Sequence, residues 1–237
     1  MKALAALYGC STRVVASRAR TVGFVVVGVC GVLVAWRVGV SSPPSPIRAA
    51  ARFGDTFGLT IMAPITALVF GTAVLGDPVD DGTLVYLWVR PQPRWKLAVG
   101  ALGAALTWAV PLAVIPAVLG AALITADPGT VVAVGLATAI ATATYTALAV
   151  LLGLVTNRAL VWGITYVLIV EAFVARGGRA LGSLAVHSHA VSIVDEIAGT
   201  RLRLGYFGLP TSVAWMVMVT TVAVGVTVWR LGAMEVA

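Results

Sequence analysis

Glu171 is the one acidic residue that falls inside a segment apolar enough to cross a bilayer, where a charge at the helix centre costs roughly 2.5–3.5 kcal/mol. Such a carboxylate calls for a partner or a task. It stands about a turn and a half from Arg176, so pairing with an arginine such as Arg176 or Arg37 is one expectation, and handling of a substrate or proton the other. Thr138, Thr142 and Tyr145 recur on one helical face beside the small residues Gly135, Ala141 and Ala149. That pattern suits close helix packing or dimer contact in lipid, or else a polar lining for a substrate path. His187 and His189 are two apart, which on a helix directs them roughly 200° from each other, with no acid one turn away, so no metal site is expected. Ser183 and His187 at i, i+4, with Glu196 beyond, sketch a hydrolytic arrangement that lacks an orienting acid and a nucleophile turn. No catalytic residue is expected.

The elements that position these groups are membrane helices. Hydrophobic residues make up 60% of the chain, charged residues 11%, and mean hydropathy is +1.02, whereas soluble domains carry roughly 25% charged residues. About 20 mostly apolar residues cross a hydrocarbon core of about 30 Å. Windows of that kind lie at 21–40, 57–76, 97–124, 130–155, 159–175 and 211–231, long and continuous, without the in/out alternation of a membrane barrel. The expected fold is therefore all-α: one polytopic transmembrane domain over 1–237, a six-transmembrane-helix bundle. Trp36, Trp162, Trp215 and Trp229 fall near span ends, where amphipathic rings favour the headgroup level. Trp108 lies mid-span and reads as packing.

Between the spans, residues 2–20 form an amphipathic stretch, with Leu4, Leu7, Tyr8, Val14 and Val15 opposite Arg13, Ser17 and Arg20, which predicts an N-terminal helix lying at the membrane surface. Pro43, Pro44 and Pro46 predict a stiff extended connector before the second span. Pro111 and Pro116 predict a bend in the third. Residues 177–210 are of intermediate polarity and predict one or two short interfacial or re-entrant helices capping the outer side. The formal charge of +7 is scattered over loop ends, which favours anionic membrane lipids over nucleic acid as partner. With the N-terminus inside, nine of the sixteen basic residues are cytoplasmic, a weak bias in the sense of the positive-inside rule.

The remaining connector, 78–94, is short and punctuated. Asp80 or Asp81 is placed to cap a helix and complement its dipole, Leu84, Leu87 and Trp88 make an i, i+3, i+4 apolar patch, and Pro91 ends it. Taken together, a second span, then Asp81, Gly82, Thr83 and Leu84, then Leu87, Trp88, Pro91 and Arg94, then Lys96 and a third span, resembles the permease subunits of ABC-2 type transporters. In that family this position holds a cytoplasmic coupling helix. The basic amphipathic beginning, six spans, short outer helices and an acid late in the fifth helix (Tyr166 to Glu171) are similar too. The chain departs from many relatives by carrying Asp77, Asp80 and Asp81 where they have a glutamate and a basic residue before the Gly-Thr pair.

The resemblance implies a permease subunit of an ATP-driven exporter in a bacterial-type cytoplasmic membrane, multi-pass with both termini cytoplasmic. It implies partners as well: two copies of a cytoplasmic ABC ATPase subunit, and a second permease forming a homodimer or heterodimer. No cofactor is implied. The sequence supports that division of labour, because a phosphate-cradling loop needs glycines followed by Lys and Ser or Thr, while Lys2 precedes Ala3 and Lys96 precedes Leu97. The alternatives are a haem-exporter-like permease of cytochrome c maturation, which shares a Gly-Thr-Leu element after its second span, and a membrane-embedded hydrolase built on Ser183, His187 and Glu196.

Overall fold

The computed structural model describes residues 8–9, 12, 18–82, 93–156, 158–171 and 178–233. Among them every regular element is helical. Helix α1 is Arg18–Val40; α2 is one run of Pro46–Phe53, a wider π-helical segment Gly54–Met62, and Ala63–Asp80; α3 is Arg94–Ile124 and α4 is Pro128–Val155. Helix α5 is Ala159–Tyr166, widening into a π-helical Val167–Glu171, followed by α6 Arg179–Gly182, α7 Val186–Ala198 and α8 Leu209–Ala233.

Five helices are long and apolar enough to cross a membrane: α1, α2, α3, α4 and α8. The expected fifth window, 159–175, is helical over 159–171, about 20 Å at 1.5 Å per residue, which is short of a hydrocarbon core of about 30 Å. Residues 172–177 lie outside the described residues. So does most of the expected surface helix at 2–20, although Tyr8 is half-buried against α3, its hydroxyl 2.8 Å from that of Thr107.

Two boundaries differ from expectation for stated reasons. Pro46 does not hold an extended connector but occupies the first turn of α2, where its missing N–H would have had no partner and its fixed φ suits a helix. The connector shrinks to 41–45, and α2 begins eleven positions before the window that hydropathy marked. Asp80 ends α2 and Asp81 is its C-cap: the Asp81 and Gly82 N–H groups donate to the carbonyls of Asp77 and Val79. Gly82 then turns the chain at φ +65, a left-handed conformation that glycine adopts without a Cβ clash.

Small residues bring the helices together. Gly71 and Gly76 of α2 and Gly153 of α4 let the two backbones meet, and a Cβ at Gly153 would run into the Thr72 backbone. Such close approach is how helices associate in lipid, where apolar burial gives no drive of its own. Phe53 and Phe57 stack at 5.2 Å and fill the space over Gly120 and Gly31. Asp127 caps α4, accepting the Thr130 N–H at 2.7 Å and hydroxyl at 2.6 Å, and these bonds hold its carboxyl below the ordinary carboxylate value.

The chain order gives the bundle two ends. Arg20 at the start of α1 pairs with Asp77 at the close of α2 at 3.1 Å, and Leu97 of α3, Leu154 of α4 and Leu231 of α8 form one buried cluster with Val79 alongside. The beginning of α1, the 81–93 connector and the close of α8 therefore share an end. Ser41 and the short α3–α4 connector lie at the other.

Candidate functional site

Glu171 sits deep in the bundle, 6% exposed. It faces Tyr145, which is about 25 Å along α4 from Pro128. Its carboxylate accepts the Val186 N–H at 3.0 Å, the His187 N–H at 2.9 Å and the Tyr166 hydroxyl at 3.1 Å. The first two are N-terminal donors of α7, whose own N-cap position is Ala185, a residue with no side-chain acceptor. A carboxylate from another helix thus caps α7 and meets the positive end of its dipole. Of the two arginines expected as partners, Arg37 lines a surface cleft with Leu33 and Ser41, and Arg176 lies outside the described residues.

Around this cap the polar groups converge from four helices. Tyr145 lines the same small cavity as Glu171 and His187. His187 Nε2 lies 3.0 Å from Asp55 Oδ1, an ion-pair distance when the imidazole is protonated. Thr60 donates its hydroxyl to the Asp55 carbonyl five residues back, the spacing of the π-helical segment. Both π-helical segments among the described residues, one carrying Asp55 and Thr60 and the other Glu171, border this cluster, and such segments recur at functional sites.

Of the polar stripe on α4, Thr138, Thr142 and Tyr145 are all buried. Thr142 bonds back to the Thr138 carbonyl at 2.7 Å, and Thr138 packs over Gly58, so these two serve helix contact while Tyr145 alone reaches the Glu171 cluster. Ser183 and His187 do not share a helical face: Ser183 is in the turn before α7 and donates to the Ala180 carbonyl at 2.7 Å, while His187 turns to Asp55. Trp215, expected as a headgroup anchor, instead stacks on buried His189 at 4.3 Å, with Phe207 on the imidazole at 4.5 Å from its centre. Burial there lowers the His189 pKa below its ordinary value, opposed by the Ser183 carbonyl.

Further along α7, burial raises the Asp195 carboxyl, against the bonds it accepts from the Thr200 hydroxyl and the Leu202 N–H. This carboxylate folds the connector back along α7. The helix is consequently not a lid over the outer side: 186–194 are buried throughout, packed on α4 and α8 and reaching Pro46–Phe53 of α2.

The connector expected to meet an ATPase is framed rather than described. Asp81 and Gly82 close α2 and are exposed, and Arg94 opens α3. Thr83, Leu84, Leu87, Trp88 and Pro91 lie outside the described residues. Of the carboxylates before Gly82, Asp77 is engaged by Arg20 and Asp81 is exposed. Asp55 and the cap on α7 went unseen in the sequence. The available signal was Ala185, an alanine where a helix needs an acceptor. No family model matches the sequence, and no curated protein matches it.

Proposed function

We propose that this chain is the membrane-spanning permease subunit of an ATP-driven transporter of the ABC-2 type, an exporter that hands its power stroke to a separate cytoplasmic ATPase. The observation that carries the reading is the geometry around 81–93. This connector follows a C-capped, left-handed stop at Asp81 and Gly82, joins two long apolar helices, and shares its end of the bundle with the start of α1 and the close of α8. A docking element needs that placement, since it has to project beyond the lipid on the side where a soluble motor binds. Five helices long and apolar enough to cross a membrane, with the shorter apolar α5 beside them, are compatible with that reading. The chain has no phosphate-cradling loop, so the motor is a second polypeptide, two copies of it on a permease dimer.

The test is co-purification of the chain from its native membrane with a cytoplasmic ABC ATPase subunit. Wild type is expected to recover that subunit, while Leu87→Glu or Trp88→Glu loses it at least about tenfold, equivalent to about 1.4 kcal/mol, with membrane insertion unchanged. Equal recovery and equal transport by wild type and variants would refute the docking role.

A further inference from the structure

Between α4, α5 and α8 lies a groove of about 440 Å³, the size of a site for a drug-like molecule. It opens on the outer surface of the bundle, where Trp162, Val155 and Leu184 are exposed. Its walls are apolar, and four aromatic side chains stand among them: Tyr145, Trp162, Tyr166 and Trp215. A second cavity of about 50 Å³ lies behind, lined by Thr60, Glu171 and His187 among others, and the two share Tyr145 and Val167 as a common wall.

That wall has a carboxylate at its back. The Tyr166 hydroxyl bonds Glu171 at 3.1 Å, and the other described donors to Glu171 are backbone N–H groups. All are neutral, and among the described residues no cation lies on this carboxylate, Arg176 lying outside them. The nearby imidazole of His187 is turned to a second carboxylate, Asp55. In a medium less polar than water the field of such a group reaches further. Aromatic faces attract cations in the same sense, whereas an anion of equal size and greasiness meets repulsion.

We infer, resting on the permease reading, that this groove binds hydrophobic monovalent organic cations and that these are the transported substrate class. The cation is drawn from the lipid side between α5 and α8, its apolar groups filling the groove and its charge lying against the Tyr145–Tyr166 wall in front of Glu171.

The charge pair tetraphenylphosphonium and tetraphenylborate, matched in shape and opposite in sign, provides the test. The purified full chain in lipid nanodiscs is dialysed to equilibrium against each ion, with empty nanodiscs as the partition control. Saturable binding above the lipid background is expected for the phosphonium and not for the borate. Glu171→Gln keeps an acceptor for the α7 N–H groups but removes the charge, and is expected to weaken phosphonium binding about tenfold. Leu152→Trp fills the groove, leaves Glu171 untouched, and is expected to abolish it. Equal binding of both ions, as an acyl-chain site would give, or undiminished binding by Leu152→Trp, overturns the inference. Should Glu171→Gln fail to fold, the ion comparison and Leu152→Trp decide by themselves. No ATPase is present in the titration, so lost cation selectivity with intact ATPase coupling overturns the substrate class alone, and failed coupling with intact cation binding overturns the permease reading alone.

Discussion

The Glu171 carboxylate does at mid-bundle what a serine or aspartate does at the first residue of an exposed helix, because Ala185 has no oxygen to offer. Replacing it with leucine strands the Val186 and His187 N–H groups in an apolar interior, and a buried donor without an acceptor costs about 1–3 kcal/mol. Glu171→Leu is expected to lower the thermal unfolding midpoint in detergent by several degrees, and Glu171→Gln by less; an unchanged midpoint for both would remove the cap from the account. His189 gives a pH signature. The unfolded chain takes up a proton near pH 6.5, while the stacked native imidazole resists it, so the stability held above that pH is lost progressively as pH falls toward the lowered native value. His189→Phe keeps the ring stack, and its unfolding midpoint is expected to fall less than that of wild type between pH 7.5 and 5. Glu171 itself was legible in the sequence as an acid in need of a partner. The partner was not, since backbone N–H groups fifteen residues away leave no side-chain trace.

At the level of the elements, α2 and α4 set the spacing of everything else, and glycine sets theirs. Gly153→Leu drives a side chain into the Thr72 backbone, and overpacking of that kind costs typically about 1–3 kcal/mol. Reduced yield of folded protein and a lowered unfolding midpoint are the expected results, with Gly225→Leu, where a Cβ meets open space, as the matched control. If Gly153→Leu behaves like Gly225→Leu, the helices are not held at backbone contact. Hydropathy located the cores of α1, α3, α4 and α8 closely because a membrane helix is a long continuous apolar run. It missed the first eleven residues of α2, where Arg48, Arg52 and Asp55 make the helix read as a loop and three prolines read as a stop. Proline blocks a helix interior and is welcome in its first turn, so Pro46 begins α2 while Pro43 and Pro44 stay in the connector.

For the whole molecule, the topology matters more than any single contact. Five long apolar helices among the described residues, with the shorter α5, bring the chain to one end four times, at the start of α1, at 81–93, at the α4–α5 connector and at the close of α8. The chain passes from that end to the other in two pieces, α5 leading to Glu171 and α7 leading away from it toward the start of α8. Windowed hydropathy counts apolar residues and not depth, so it had no means of showing that α7 packs inside. The central claim is that 81–93 is where a soluble motor takes hold. A photocrosslinking residue placed at position 88 in intact cells tests it most directly: illumination is expected to join the chain to an ATPase polypeptide of the cytoplasm, whereas capture of lipid alone, or labelling of position 88 by an impermeant reagent from outside the cell, would contradict it.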